Sequence, residues 1–214
     1  MHNDAIIFDI DGTLWNSCPA VAAGWNMGLA KLGVHKKVTA KQIESVAGHP
    51  PSECIDILLP GMRKKYPELL VTFSGCTLEA VRTNGGKIYP GVIRGIKKLA
   101  TQYKIFLVSN CEDWYLNLFL DFSGLKSTLT GWDCYGLSML TRQQMLSKTR
   151  SNFDLVNSLY VGDTMGDEQA AKEAKMEFAH VTYGFGPVSA GARSFNSFDA
   201  LVGYMMNLAN YSQK

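Results

Sequence analysis

The stretch Ala5-Ile6-Ile7-Phe8-Asp9-Ile10-Asp11-Gly12-Thr13 determines the fold class of this chain. Its first four residues are apolar and too few for a helix, and an acidic segment that contains glycine follows at once. This order is typical of a buried strand that runs into a loop. The carboxylates of Asp9 and Asp11 therefore stand at the end of a strand, where their mutual repulsion requires a compensating charge.

Later segments repeat this arrangement of an apolar strand followed by a polar loop. They are residues 104–108 before Ser109-Asn110, residues 158–161 before Gly162-Asp163-Thr164, and residues 177–182 before Tyr183-Gly184-Phe185-Gly186. Apolar residues at helical spacing separate these strands. Strands that alternate with helices predict an α/β fold with a doubly wound parallel sheet, in which the polar loops gather at the carboxyl ends of the strands.

The segment of residues 16–87 breaks this alternation. Helical patterns cover residues 21–32, 40–46, 52–59 and 69–82, and we expect no strand among them. Turn-forming residues, Asn84-Gly85-Gly86 and Tyr89-Pro90-Gly91, mark its end. We therefore predict a Rossmann-like core of residues 1–15 and 88–214 with an inserted helical cap of residues 16–87. The length of 214 residues suits one core with a small insertion.

Composition argues against several classes of function. The net charge is only +2 and the basic residues form no stripe, so we expect no nucleic-acid partner. No apolar run approaches the ~20 residues that span a bilayer, and no basic leader precedes the first strand, so we expect no membrane association. The five cysteines are an odd set with irregular spacing, which favours reduced thiols and a cytoplasmic location. Nothing in the sequence indicates an oligomeric state.

A second acidic loop, Gly162-Asp163-Thr164-Met165-Gly166-Asp167, follows the third of the predicted strands. If this strand and the first are neighbours, Asp9, Asp11, Asp163 and Asp167 converge on one point. Mg²⁺ prefers hard oxygen ligands, usually one or two carboxylates together with phosphate and water. A solvated Asp-x-Asp loop is the alternative for the first motif alone, but two acidic loops in this arrangement predict a Mg²⁺ site.

In this order along one chain, the loops resemble those of the haloacid dehalogenase superfamily, in its phosphoglycolate-phosphatase-like branch with a helical cap. Residues 9–14 correspond to the nucleophile loop, residues 107–110 to the phosphate-binding loop and residues 162–167 to the metal-binding loop. The resemblance implies a Mg²⁺-dependent phosphatase that acts on small phosphomonoesters, with phosphoglycolate-like metabolites as one possibility, through an aspartyl-phosphate.

The resemblance also implies the roles of the acidic residues. Asp9 would attack phosphorus, and Asp11 would protonate the leaving alcohol and then deprotonate the attacking water. Asp9, the backbone carbonyl of Asp11 and Asp163 would hold Mg²⁺. Asp167 would be a further ligand or would orient water on the metal.

Other residues would bind the phosphoryl group. The resemblance places Ser109, Asn110 and Thr13 here, with Thr13 also helping to position the general acid. The family uses a lysine before the acidic loop, but its usual Lys-Pro context is missing from this sequence. Arg142, which opens the helix before the third strand, is the preferred substitute because arginine binds phosphate through two hydrogen bonds. Lys148 is the alternative.

Trp15, His49 and Phe185 are candidates for substrate specificity. Trp15 follows the nucleophile loop at the entrance to the cap, where packing between domains is the alternative role. His49 lies in a turn-rich part of the cap, and a plain surface turn is its alternative. Phe185 lies between two glycines after the fourth strand, near the expected rim of the site.

Other functions compete with phosphate hydrolysis. In a true dehalogenase the halide leaves without protonation, so Asp11 and the second acidic loop would have no task. A sugar phosphomutase would need the same residues and Mg²⁺ and would differ mainly in its cap. A non-catalytic binding protein of the same fold is suggested by the missing lysine context. The otherwise complete set of catalytic residues favours an enzyme.

Overall fold

The structure is a computed structural model that describes residues 4–212. Its strands are β1 (Ala5–Phe8), β2 (Trp15–Asn16), β3 (Lys87–Ile88), β4 (Lys104–Ser109), β5 (Gly131–Cys134), β6 (Ser158–Gly162), β7 (Glu177–Val181) and β8 (Ser194–Phe195). Six of these strands form one parallel sheet in the order β5-β4-β1-β6-β7-β8. Strands β2 and β3 pair separately as an antiparallel ribbon.

Helices fill most of the segments between the strands. They are α1 (Cys18–Lys31), α2 (Ala40–Glu44), α3 (Pro51–Leu58), α4 (Met62–Lys65), α5 (Leu69–Asn84), α6 (Val92–Leu99), α7 (Asp113–Ser123), α8 (Tyr135–Ser138), α9 (Arg142–Asn152), α10 (Met165–Glu173) and α11 (Phe198–Ser212). A short 3₁₀ helix covers Lys126–Thr128. No helix within residues 4–212 has the length and apolar content needed to cross a bilayer.

Strand β1 shows why the sheet is covered on both faces. Ile6 and Phe8 belong to one hydrophobic cluster, which includes residues of α6, α7 and α11. Ile7 belongs to a second cluster, which includes residues of α9 and α10. Because side chains of a strand alternate between the faces of a sheet, a strand that is apolar throughout is buried on both sides. The predicted α/β fold with a doubly wound parallel sheet is confirmed.

The position of β1 also determines where a ligand would bind. It pairs with β4 on one side and with β6 on the other, so the chain reverses its direction of winding at this strand. Open parallel sheets bind ligands at such a point, beyond the carboxyl ends of the strands. The loops that follow β1, β4 and β6 therefore lie together.

Helices α1 to α5, here called the cap, have a hydrophobic cluster of their own, built around Trp25, Leu29, Ile55 and Phe73. The expectation that residues 16–87 contain no strand is wrong at both ends of this segment, because Asn16 of β2 pairs with Lys87 of β3. The division into core and cap domains at these boundaries stays a prediction. Residues 1–3 and 213–214, which it assigns to the core, lie outside the described residues.

Close packing of α1 against α5 generates a test of the cap. A Cβ atom added at Gly24 would lie 2.5 Å from Thr77 Cα, closer than any normal contact. We predict that Gly24→Ala lowers the free energy of unfolding by about 1–3 kcal/mol, as overpacking does. Gly75→Ala on α5 is the matched control, because a Cβ there meets no atom of the described part of the chain within 4 Å. It should stabilise by up to about 1 kcal/mol through helix propensity. Urea unfolding compares the two, and equal effects would contradict the close approach.

Candidate active site

Carboxylates from separate loops meet beyond the carboxyl ends of β1 and β6. Asp9 directly follows β1, Asp163 directly follows β6, and Asp167 lies in the first turn of α10. All three are buried. One carboxylate oxygen from each lies within 4.8 Å of the others. The structure thus brings together three of the four acidic side chains that we expected to converge.

The loop after β1 packs directly on Asp163. Gly12 has a φ of +79°, and a Cβ atom there would lie 2.1 Å from Asp163 Oδ2, so only glycine fits. The hydroxyl of Thr13 donates to Asp163 Oδ1 at 3.2 Å, and the backbone N–H of Phe185 donates to Oδ2 at 2.7 Å. Thr13 is fully buried, and its hydroxyl helps to hold Asp163 in place. Its predicted roles in phosphate binding and in positioning Asp11 stay predictions.

Asp167 is held by several hydrogen bonds. The hydroxyl of Tyr160 donates to Oδ1 at 3.1 Å. The backbone N–H and the hydroxyl of Thr164 donate to Oδ2 at 3.0 and 2.6 Å. Tyr160 was not expected here, and no sequence signal marks it, because it reads only as one more apolar residue of a buried strand. A carboxylate with these partners has a fixed orientation.

Arg142 rather than Lys148 lies against the carboxylates. Its Nη1 is 2.7 Å from Asp167 Oδ1, and its Nη2 is 3.5 Å from Asp9 Oδ1. Arg142 is only 5% exposed. Lys148 instead pairs with Asp133 at 2.9 Å, and 46% of its side chain is exposed. The position of Arg142 suits the basic role that the resemblance requires, although the phosphate-binding role itself stays a prediction.

Burial of so much negative charge shifts the ionisation of the site. Burial, and then the neighbouring Asp167, raises the pKa of Asp9 well above its usual value and that of Asp163 to about 7. Burial alone would lower the pKa of Arg142. The carboxylates around it, above all Asp167, outweigh this effect and raise the pKa above its usual value. One buried guanidinium thus faces three carboxylates, and the site has an excess of negative charge.

These residues fit a divalent cation. Neither carboxylate oxygen of Asp9 has a hydrogen-bond partner among the described residues, although both are buried. Its contact with Arg142 at 3.5 Å is an ion pair without hydrogen-bond geometry. A buried carboxylate in this state is costly unless a cation or a ligand satisfies it. Together with Asp163 and Asp167, it offers the oxygen-rich environment that Mg²⁺ prefers.

Asp11 lies beside the cluster and has its own partners. Its carboxylate accepts a hydrogen bond from the hydroxyl of Tyr115, which also contacts Ser17 at the entrance to the cap. Burial raises the pKa of Asp11 to about 6, against the opposing effect of the Tyr115 hydrogen bond. Sequence reasoning missed Tyr115 and Ser17, since neither belongs to a motif. Together they orient the side chain of Asp11.

The phosphate-binding loop is in contact with the cap. The side-chain amide of Asn110 donates to the backbone oxygen of Gly48 at 2.7 Å, and Arg142 donates to the same oxygen at 3.0 Å. Ser109 is buried and lines the same cavity as Asp9 and Asp11. One carbonyl of the cap thus engages two of the predicted phosphate ligands.

Comparison with known proteins identifies the family. Residues 6–181 match the model of the haloacid dehalogenase-like hydrolases. The chain belongs to this family. The prediction from the sequence motifs is confirmed for the family and for the enzyme class, a phosphatase.

Two relatives align with this haloacid dehalogenase-like hydrolase over nearly its whole length. The phosphoglycolate phosphatase of Psychrobacter arcticus is 26% identical over an alignment that covers 96% of this chain and 97% of the relative. That of Rhodobacter capsulatus is also 26% identical, over 93% of this chain and 95% of the relative. A crystal structure of a predicted phosphoglycolate phosphatase from Haemophilus somnus superposes with a TM-score of 0.81 at 20% identity and covers 95% and 98%. The last comparison shows a shared fold.

The specificity candidates occupy different positions in this hydrolase. Trp15 is fully buried and packs edge-on against Tyr115, which supports the alternative role of packing. His49 lines the cavity, and its Nδ1 is 3.2 Å from Glu53. The side chain of Phe185 packs against the hydrophobic cluster of the cap. Contact with substrate stays a prediction for His49 and Phe185.

The charge balance of the site leads to a prediction about stability. Arg142→Ala should lower the free energy of unfolding of the metal-free hydrolase by about 3–5 kcal/mol, because it leaves buried carboxylates without their cation. Lys148→Ala is the control, and loss of its half-exposed ion pair should cost at most about 1 kcal/mol. Urea unfolding in the presence of a chelator measures both. Similar losses for the two variants would show that Arg142 does not balance the cluster.

Proposed function

We propose that this chain is a Mg²⁺-dependent phosphatase that hydrolyses small phosphomonoesters through an aspartyl-phosphate on Asp9. The observation that carries this proposal is the state of the Asp9 carboxylate, which is buried and has no hydrogen-bond partner at either oxygen within residues 4–212. A nucleophile that also binds a metal needs one oxygen for each task. Asp9 is the carboxylate of the site that keeps both oxygens available.

The residues around Asp9 divide into metal ligands and phosphate ligands. Asp9, Asp163, Asp167 and the backbone carbonyl of Asp11 would hold Mg²⁺, which would offset the charge of the phosphate dianion. Ser109, Asn110 and Arg142 would donate hydrogen bonds to the phosphoryl oxygens. Asn110 and Arg142 already donate hydrogen bonds to the backbone oxygen of Gly48. A bound phosphate would replace this oxygen as their acceptor.

The reaction proceeds in two steps. In the first, a carboxylate oxygen of Asp9 attacks phosphorus, the bond to the ester oxygen breaks, and Asp11 donates a proton to the leaving alcohol. In the second, Asp11 removes a proton from a water molecule, which attacks the phosphorus of the acyl phosphate and releases phosphate with Asp9 restored. The hydrogen bond from Tyr115 holds Asp11 in position for both proton transfers.

Two further observations support the proposed class of substrate and the proposed cellular compartment. The relatives named as phosphoglycolate phosphatases support a small phosphorylated metabolite as the partner. The five cysteines form no disulfide, which supports a reducing compartment such as the cytoplasm.

The first test concerns the nucleophile. Phosphate release from an aryl phosphate should require Mg²⁺, and Asp9→Asn should reduce kcat at least about 1,000-fold, because an amide cannot form the acyl phosphate. Asp56→Asn is the control, since Asp56 forms an exposed ion pair with Arg63 on the cap. It should retain activity.

The outcomes separate the competing functions. Full activity of Asp9→Asn, or activity in excess chelator, would exclude the proposed mechanism. Transfer of the phosphoryl group to another hydroxyl of a sugar phosphate, without release of phosphate, would indicate a phosphomutase. A folded wild-type protein with no turnover of any phosphate ester would support a non-catalytic role.

The second test concerns the metal and does not depend on turnover. Mg²⁺ should raise the midpoint of thermal unfolding of the wild type, because a cation that binds only the folded chain stabilises it in proportion to the logarithm of its concentration. Asp163→Asn should remove most of this shift, since it deletes one of the clustered carboxylates. Asp56→Asn should keep it. A shift of equal size in Asp163→Asn would place the cation elsewhere.

A further inference from the structure

A cavity of about 130 Å³ joins the catalytic carboxylates to the cap. Asp9, Asp11 and Ser109 contribute to its wall from the core. Its wall on the side of the cap is mainly apolar and includes Val21, Trp25, Ile43, Val46, Leu70 and Phe73. A phosphate bound at Asp9 would direct the rest of its ester into this space. The chemistry of the wall therefore selects the alcohol that carries the phosphate.

The wall provides no counter-charge for an anionic substrate group. Among the described residues that line this cavity there is no lysine or arginine. His49 belongs to the wall, but it faces the carboxylate of Glu53 at 3.2 Å. Arg142 is already paired with Asp167 and is required for the phosphate. A second anionic group on the substrate would thus be buried without a partner, which is costly.

Glu112 adds negative charge to the same wall. Its Oε2 accepts a hydrogen bond from the hydroxyl of Ser74 at 2.5 Å, and a second hydrogen bond comes from the indole N–H of Trp114. All three residues line the cavity. The carboxylate is therefore held in place beside the space for the alcohol, where it would repel a substrate carboxylate.

Thr77 supplies one polar contact from the cap. It lines the cavity, is 6% exposed, and its hydroxyl has no hydrogen-bond partner among the described residues. A buried hydroxyl usually has a partner, and a threonine hydroxyl both donates and accepts. A single hydroxyl or carbonyl group on the substrate would satisfy it.

We infer, on the basis of the proposed phosphatase function, that the substrate is a phosphomonoester of an uncharged, mainly apolar alcohol with one hydroxyl or carbonyl group for Thr77. Phosphoglycolate, whose alcohol carries a carboxylate, is then a poor substrate. An engineered apolar cavity of about 150 Å³ holds a benzene molecule, so a compact alcohol of about four to six heavy atoms suits the space.

Three phosphate esters of nearly the same shape allow the effect of substrate charge on kcat/KM to be measured apart from the effect of substrate size. Phosphoglycolate carries a carboxylate, hydroxyacetone phosphate replaces one carboxylate oxygen with a methyl group, and isobutyl phosphate replaces both. With Mg²⁺ and the wild-type chain, we expect kcat/KM for each neutral ester to exceed that for phosphoglycolate by at least about tenfold.

A kcat/KM for phosphoglycolate equal to or above those of the neutral esters would overturn this inference and leave the proposed function intact. If neither these esters nor an aryl phosphate is hydrolysed, the proposed function fails and the inference fails with it.

Substitutions in the wall test the assigned residues. Glu112→Gln should raise the ratio of kcat/KM for phosphoglycolate to that for isobutyl phosphate at least about threefold, because it removes the repulsion. Glu79→Gln removes the same charge from an exposed position of α5 outside the cavity wall and should leave the ratio unchanged. Thr77→Val should lower the ratio for hydroxyacetone phosphate to isobutyl phosphate.

Comparing each variant with the wild type cancels the intrinsic reactivities of the esters. A partial loss of folded protein affects every ester equally and cannot change a ratio. Unchanged ratios in both Glu112→Gln and Thr77→Val would overturn the assignment of the cavity as the site of specificity.

Discussion

The concentration of negative charge at the ends of β1 and β6 is the constraint on which the rest of this site depends. These strands are neighbours in the parallel sheet, so their register brings Asp9 and Asp163 together, and α10 adds Asp167. Arg142 supplies one positive charge against three buried carboxylates. The fold therefore has a deficit of positive charge at one point, which a divalent cation would fill.

The cap is connected to this charge cluster through residues to which the proposed mechanism assigns a role. The carbonyl of Gly48 accepts hydrogen bonds from Asn110 and Arg142, and the contact of Ser17 with Tyr115 connects the start of the cap to Asp11. A displacement of the cap would thus change the environment of the proposed phosphate ligands and of Asp11 together. In the proposed mechanism a bound phosphate would use the same donors that now contact the cap, so binding of the ester would be coupled to the position of the cap.

Sequence patterns predict the central strands because these strands are buried on both faces and read as apolar runs. The same sequence patterns do not predict β5 and β8. These strands form the two edges of the sheet and include exposed or polar residues such as Asp133 and Ser194. The acidic loops were predictable because parallel strands present their carboxyl ends at one edge. Tyr115 and Gly48 were not, since their partners lie far away in the sequence and only tertiary packing brings them together.

In the proposed mechanism, different parts of the chain recognise the two ends of the substrate. The loops of the core would bind the phosphoryl group, which is the same in every phosphomonoester, and they contain the motifs that resemble those of the family. The alcohol would instead meet side chains of the cap and Glu112, which belong to none of those motifs. Relatives that are 26% identical therefore support the chemistry at Asp9 more strongly than they support a particular alcohol. For the alcohol, the charge and polarity of the cavity wall are the more direct physical evidence, because a buried substrate carboxylate requires a cation that this wall does not supply.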